Sequence, residues 1–215
     1  MSDLSVRDID RLLGAPGERF EIETVDVAGR PTRTWKHMPR NLGDLLDDGA
    51  ARAGERDFLV LGDERLGHRL HREQALRFAN ALVESGVGKG DRVAIAIRNV
   101  PEWSIAFFGA AYAGAVAVAV NAFWNGAELA FGIEDCTPKV LVADGERLER
   151  LLGHEASLAG VTLVGTRLDD RKTDTPLLHG IVSFSTMLER PATRPAVDVA
   201  PDDLDDTWGP AWGHH

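Results

Sequence analysis

Three short apolar runs separated by helix-length segments constrain the fold of this 215-residue chain most strongly. The runs are DRVAIAI at residues 91–97, AVAVAV at 115–120 and KVLVA at 139–143. Such runs, bounded by glycine and polar residues, are typical of strands buried on both faces, and we expect the first two to be central strands. The sequence therefore predicts an α/β fold in which alternating strand-helix units form a mostly parallel sheet covered by helices.

The helices between these runs have recognisable boundaries. Residues 71–85 repeat apolar side chains at helical spacing, and Gly86 follows where a left-handed residue ends a helix. Pro101 stands where the first turn of an apolar helix tolerates proline. Asn125 and Glu128 have the spacing of a capping box, which predicts a further helix start.

Further elements are predicted on both sides of this central region. We expect helices at 41–52, 146–152 and 183–188, and strands at 58–63, 65–70 and 161–165. Weak alternation at 20–27, with 33–35 as a segment that could pair with it, predicts an extended arm or a small hairpin before them. The sequence thus predicts an N-terminal arm at 1–40, a partial α/β subdomain at 41–200 and an irregular tail at 201–215.

The charge balance excludes some partners. The chain has 34 acidic and 24 basic residues, for a net charge of -10. A surface that binds nucleic acid needs clustered lysine and arginine to neutralise phosphates. We therefore expect no nucleic-acid partner.

The single cysteine and the hydropathy pattern indicate a cytoplasmic protein. Cys136 has no partner for an internal disulfide, and the acidic, interrupted start of the chain is unlike a secretory signal. The longest apolar run, at 104–120, contains Gly114 and is shorter than the roughly 20 residues of a membrane span. The sequence predicts no transmembrane segment.

Candidate chemical motifs favour structural interpretations. The glycines at 86–90 lie between a helix end and a strand start, whereas phosphate loops run from strand to helix. His68 is predicted in a strand and His71 at a helix start, without a third ligand at a recognisable spacing, so we expect no metal site. Cys136 falls on an apolar helix face and is interpreted as a core residue.

Aromatic residues form the one candidate binding feature. They lie on adjacent predicted elements and include Trp103, Phe107, Phe108, Tyr112, Phe123 and Trp124. An acyl chain needs an apolar wall, and Trp103, Phe107 and Trp124 are the residues that we assign to it as a hypothesis. The alternative is core packing, which aromatic residues at helical spacing usually serve.

One series of motifs resembles a known family. The chain has GDRVAI at 90–95, NVPEW at 99–103, AGAV at 113–116, Asn125 before GAEL, and KVLVAD at 139–144. Their order and spacing resemble the N-terminal portion of AMP-forming fatty-acyl-CoA synthetases. The resemblance implies ATP-dependent activation of a carboxylate to an acyl-adenylate, followed by transfer to coenzyme A, with ATP, Mg²⁺ and CoA as cofactors.

The chain departs from the family at the expected catalytic motifs. The family's Ser/Thr/Gly-rich phosphate loop follows a segment like that at 197–204, but here the chain continues DDTWGPAWGHH. No residue matches a catalytic or cofactor-binding position of the family, so we assign none. We therefore expect a truncated ligase that is inactive alone and that pairs with the missing remainder or with itself. The alternative is a non-catalytic module that binds an acyl group or a partner.

Overall fold

The computed structural model describes residues 5–27, 29–171, 173 and 176–200, and these contain nine strands and seven α-helices. The helices are α1 (Val6–Leu13), α2 (Leu42–Ala53), α3 (His68–Glu84), α4 (Pro101–Tyr112), α5 (Gly126–Cys136), α6 (Gly145–Arg150) and α7 (Phe184–Met187). The strands are β1 (Ile22–Val27), β2 (Arg30–Trp35), β3 (Asp57–Leu61), β4 (Glu64–Gly67), β5 (Arg92–Ala96), β6 (Val116–Ala119), β7 (Val140–Asp144), β8 (Thr162–Thr166) and β9 (Val182–Ser183).

Five strands form one parallel sheet in the order β6-β5-β7-β8-β9, which confirms the predicted architecture. The chain runs from β5 outward to β6 and then enters β7 on the other side of β5. Within the described residues β6 pairs with β5 alone. The prediction of a central strand at 115–120 was therefore wrong, because an apolar run indicates burial of the faces and carries no information about the second edge.

Helices cover both faces of this sheet, and each face has its own apolar core. Val93 and Ile95 belong to the core that includes α3 and α4. Ala94 and Ala96, the alternate residues of β5, belong to the core that includes α5 and α6. The side-chain period of two in a strand explains this division, because successive residues point to opposite faces.

Helices α3 and α4 pack in close contact because Gly109 lacks a side chain. A Cβ atom at Gly109 would lie 2.8 Å from Cδ1 of Phe78 and 3.2 Å from the carbonyl oxygen of Ala75. Phe78 is fully buried and stacks on Phe184, with ring centroids 5.0 Å apart. The glycine thus allows a large aromatic side chain to fill the space between the helix pair and α7.

Two antiparallel hairpins precede the sheet, β1 with β2 and β3 with β4. The first confirms the predicted hairpin of the arm, although helix α1 before it was not predicted. The second ends at Gly67, and α3 begins at His68, so the predictions of a strand to residue 70 and of His68 in a strand were wrong. A Cβ atom at Gly67 would lie 3.0 Å from the carbonyl oxygen of Glu55, so close backbone packing fixes this boundary.

Residues 188–200, here called the strap, run without regular structure across α3. Arg77 Nη1 donates to the carbonyl oxygen of Arg190 at 3.0 Å, and Asn80 Nδ2 donates to that of Thr193 at 2.6 Å. Farther along, Lys89 Nζ donates to the carbonyl oxygen of Asp198 at 3.1 Å. Side chains of the body thus hold the backbone of the strap. The tail predicted at 201–215 lies outside the described residues.

We predict that Gly109→Ala destabilises the fold. Overpacking against Phe78 costs about 1–3 kcal/mol, which exceeds the roughly 0.5–1 kcal/mol that alanine contributes to a helix. Urea unfolding should show a lower free energy of unfolding.

The matched control is Gly49→Ala in α2, where a Cβ atom would make only an ordinary 3.8 Å contact with His68 Nδ1. That variant should gain about 0.5–1 kcal/mol of stability. Equal effects of the two substitutions would contradict the close approach of α3 and α4.

Candidate functional site

The candidate site is the edge of the sheet at which β5 and β7 end. Ligands of open parallel sheets bind at the carboxyl edge, where the strand order reverses. Here the order reverses between β5 and β7, so Arg98 and Asp144 border this position. We call it the carboxyl crevice.

Asp144 is a buried carboxylate at the carboxyl end of β7. Its Oδ1 accepts a hydrogen bond from the backbone nitrogen of Arg147 at 3.0 Å, which caps α6. Its Oδ2 accepts from the backbone nitrogen of Arg98 at 3.3 Å. The carboxylate therefore joins the end of β5 to the start of α6.

Arg147 supplies the counter-charge and was not predicted. Its side chain is 1% exposed, and Nη1 lies 3.1 Å from Asp144 Oδ2. Nε and Nη2 donate to the carbonyl oxygen of Ala122, which follows β6, at 2.8 and 2.6 Å. The sequence signal was an arginine three residues after a capping aspartate. The pair holds the loops that follow three strands, and Nη1 of Arg147 also lies 3.1 Å from Glu146 Oε2.

A second ion network lies where β8 ends. Arg167 Nε is 3.1 Å from Glu102 Oε1, and Nη2 is 2.7 Å from Glu64 Oε2. These hydrogen bonds raise the pKa of Arg167 and lower the pKa of the Glu64 carboxyl, with burial opposing both shifts to a lesser degree. A carboxyl held in its charged form is a poor proton donor near neutral pH. This network therefore fastens the β3–β4 hairpin to the sheet and is not suited to proton transfer.

His71 is buried beside α4. Its Nε2 lies 2.9 Å from Ser104 Oγ, and its ring centroid is 4.6 Å from that of Phe58. Burial is the main cause that lowers the pKa of His71 to about 4, with the charge of His68 adding to it. His71 and Ser104 lie at the distance of a general base and a nucleophile. An imidazole with so low a pKa is a weak base, so the two residues resemble such a pair in distance alone. Among the described residues, no three His, Cys, Asp or Glu side chains form a group that could hold a metal ion.

The structure brings two of the three predicted wall residues together. Trp103 and Phe107 stack on α4 with ring centroids 5.3 Å apart, and both pack against the core of the α3–α4 face. Trp124 packs against the core of the other face, close to Gly132. The sheet thus separates Trp124 from the stacked pair.

The remaining sequence candidates have structural surroundings. Gly86 and Gly90 have φ values of 86° and 80° and form the turn between α3 and β5, as predicted. The amide of Gly88 donates to the Asp91 carboxylate at 2.7 Å, so this turn binds a carboxylate of the chain itself. Burial, together with the nearby Asp135, raises the pKa of Cys136 to about 11, which keeps the thiol protonated.

A large groove of about 1100 Å³ lies at the opposite edge of the sheet. We call it the arm groove, because residues of the β1–β2 arm form one wall and α2 forms the other. Gly90 and Val116 mark its position at the amino ends of β5 and β6. It is therefore separate from the carboxyl crevice.

The parallel sheet, with its reversal of strand order and helices on both faces, is a doubly wound α/β layer. The model of the AMP-binding enzyme family matches residues 46–204, and the chain belongs to this family. Among the helices of the described residues, none has the length and apolar character needed to cross a membrane.

Similar proteins are carboxylate–CoA ligases. A medium/long-chain-fatty-acid–CoA ligase of Mycobacterium tuberculosis is 32% identical over 156 residues, which are 73% of this chain and 24% of the relative. A 3-hydroxybenzoate/4-hydroxybenzoate–CoA ligase of Thauera aromatica is 31% identical over 176 residues, 81% of this chain and 32% of that one. The chain thus spans about a quarter to a third of the length of these relatives.

Solved structures show the same fold. The benzoate CoA ligase of Burkholderia xenovorans LB400 superposes with a TM-score of 0.62 at 22% identity, over 74% of this chain and 30% of that one. The N-terminal domain of FACL13 from Mycobacterium tuberculosis has a TM-score of 0.55 at 25% identity, over 76% of this chain and 40% of that one.

We predict that the stability of the fold decreases in acid through His71. Its pKa is about 4 in the folded chain and near 6.5 in the unfolded chain, so the unfolded state binds the extra proton between these values. The contribution of neutral His71 is present above pH 6.5 and is lost as the pH falls towards 4, by up to about 3 kcal/mol.

Urea unfolding at several pH values measures this effect. His71→Gln should flatten the dependence between pH 6.5 and 4 relative to the unsubstituted chain. An unchanged slope in His71→Gln would show that other groups cause the acid sensitivity.

Proposed function

We propose that this chain forms the leading part of the N-terminal domain of an ATP-dependent carboxylate–CoA ligase, and that it makes no acyl-adenylate by itself. The observation that carries the proposal is the family match over residues 46–204, combined with the small share of each ligase relative that the chain covers. In the reaction a carboxylate oxygen attacks the α-phosphorus of ATP and pyrophosphate leaves. The thiol of CoA then attacks the acyl carbon and AMP leaves.

The charges at the carboxyl crevice support inactivity of the chain alone. Adenylation requires cations and oriented donors around the transferred phosphoryl group. Arg147 is paired with Asp144, and Arg167 is paired with Glu64 and Glu102. Redirecting either guanidinium to a phosphate would leave carboxylates without their partners. In our proposal these residues shape the loops of the crevice, while ATP, Mg²⁺ and CoA are bound with residues beyond this portion of the fold.

We predict no substrate-dependent ATP–pyrophosphate exchange by the purified 215-residue chain with fatty or aromatic carboxylates. The fatty-acid–CoA ligase of Mycobacterium tuberculosis, assayed in the same buffer with Mg²⁺, serves as the positive control. Exchange that depends on the added carboxylate and disappears with EDTA would overturn the proposed inactivity.

We propose that Trp103, Phe107 and Trp124 contribute to an acyl-binding wall in the assembled ligase. The stacked pair on α4 is partly buried and presents flat apolar surface, which suits an alkyl or aryl group. Trp124 lies on the other face of the sheet, so its contribution would be independent of the pair.

This wall predicts a change in substrate preference. In a full-length active relative, alanine at the position of Trp103 or Phe107 should shift kcat/KM towards longer chains by about tenfold, because one or two buried methylenes are worth about 1–3 kcal/mol. Alanine at the position of Trp124 tests the separate contribution. An unchanged chain-length profile in all three variants would mean that these residues only pack the core.

A non-catalytic module that binds a partner is the second candidate function. Phe123 and Phe131 are 79% and 68% exposed, and β6 has one edge unpaired within the described residues. Exposed apolar side chains beside an open edge favour association with another chain. Light scattering over a range of protein concentrations tests this candidate where the partner is a second copy of the chain, and a monomer at every concentration would contradict that form of the module.

A further inference from the structure

The outward face of α5 combines an exposed aromatic ring with three carboxylates. Phe131 lies in the middle of the helix and is 68% exposed. Glu128, Glu134 and Asp135 are exposed as well, and each stands three or four residues from Phe131. Residues at this spacing are neighbours on a helix surface, so the three carboxylates surround the ring. We call these four residues the acidic face of α5.

The carboxylates of the acidic face form no ion pair within the described part of the chain. Glu128 accepts the backbone amide of Asn125 at 2.8 Å, and Glu134 accepts the hydroxyl of Ser157 at 2.6 Å. Both donors are neutral. Helix α5 itself, GAELAFGIEDC, contains no lysine or arginine. The negative charge of this face is therefore not balanced by the helix that bears it.

The arginines at the two ends of α5 serve other groups of the chain. Arg92 Nε donates to the carbonyl oxygen of Cys136, the last residue of the helix, at 2.9 Å. At the other end, Arg150 Nη2 lies 2.6 Å from Glu146 Oε1, and its Nη1 donates to the carbonyl oxygen of Trp124 at 2.7 Å. These hydrogen bonds fix the ends of the helix and leave the acidic face between them without a bound cation in the described residues.

The residue types of the acidic face are unfavourable for an isolated helix. Glu134 and Asp135 lie in the last turn, where the helix dipole places partial negative charge and where lysine or arginine would be stabilising. Phe131 lies opposite the buried side of the helix and contributes little to the core. Residues that break local rules without compensation inside the fold indicate a functional surface.

We propose that the acidic face of α5 binds an arginine-rich segment of a partner protein. A guanidinium pairs with a carboxylate through two parallel hydrogen bonds and also stacks on an aromatic ring, whereas an ammonium ion does neither as well. Phe131 and the carboxylates around it offer both contacts at neighbouring positions. The net charge of -10 also attracts a basic segment at long range.

The acidic face is separate from the carboxyl crevice. Leu129, Ala130 and Ile133 pack α5 onto the sheet, and the acidic face lies on the opposite side of the helix. The inference therefore goes beyond the ligase reaction. It assigns a partner chemistry to the second candidate function and rests on that candidate in this respect, but it does not require association between copies of the chain.

The test is a fluorescence anisotropy titration of the full 215-residue chain into a fluorescein-labelled synthetic peptide of four Arg-Arg-Leu repeats, without ATP or a carboxylate substrate. The intact chain should bind the peptide, and Phe131→Ala should weaken binding about five- to tenfold, because the stacking surface is lost. Alanine favours a helix, so this variant should keep its circular dichroism spectrum. Leu70→Ala, which removes a 44% exposed side chain from α3, is the matched control and should bind normally.

The contribution of the carboxylates is tested with the double variant Glu134→Gln/Asp135→Asn. It should weaken binding about three- to tenfold, because two exposed ion pairs are lost. The control is Glu23→Gln/Asp63→Asn, which changes the net charge equally at exposed positions of the two hairpins and should leave the affinity unchanged. A peptide of four Lys-Lys-Leu repeats should bind the intact chain about two- to fivefold more weakly than the arginine peptide.

Absence of binding by the intact chain would overturn the proposal, and so would equal effects of the two double variants, which would indicate attraction by net charge alone. Equal affinities for the arginine and lysine peptides would overturn the assignment to an arginine-rich partner. If Phe131→Ala abolished a dimer of the chain and left peptide binding unchanged, the face would instead bind a second copy. These outcomes do not depend on whether the chain forms an adenylate, because no ATP is present.

Discussion

The carboxyl edge of the sheet depends on the hydrogen bonds and the ion pair that the Asp144 carboxylate makes. It ends β7, caps α6, accepts the amide of Arg98 after β5 and pairs with Arg147, which holds the carbonyl oxygen of Ala122 after β6. Three strand ends are thus fixed by one nearly buried ion cluster, in which Arg147 pairs with both Asp144 and Glu146. Removing Arg147 would leave the Asp144 carboxylate without its cation, and breaking a buried pair in this way costs several kcal/mol, about 3–5. The position at which a parallel sheet usually binds ligands is therefore occupied by the protein's own charges.

Local signals predicted most of the elements. Asn41, Asn125 and Asp144 cap α2, α5 and α6 as their sequence context indicates, because a cap depends on residues within one turn. The position of β6 at the edge and the start of α3 at His68 were not predictable in this way. Both depend on contacts distant in sequence, namely the pairing of β5 with β7 and the approach of Gly67 to the backbone of Glu55.

The candidate site was less predictable than the fold. Arginine is rarely fully buried, so the spacing of Arg147 from the capping Asp144 did not by itself indicate burial, which depends on the fold that brings Ala122 to it. Helical periodicity grouped the aromatic residues correctly on α4, since Trp103 and Phe107 do stack. It could not assign Trp124 to a face of the sheet, because that residue lies in a loop whose direction is set by β6 and α5.

The strap connects the two edges of the sheet. It leaves α7 near the end of β9, crosses α3, and reaches the amino end of β6, where Val197 Cγ1 would lie 3.0 Å from a Cβ atom at Gly114. A crossover between parallel strands must return the chain from the carboxyl edge to the amino edge, and the strap does so without a helix. Within the described residues the strap therefore ends beside the unpaired edge of β6, at the amino side of the sheet.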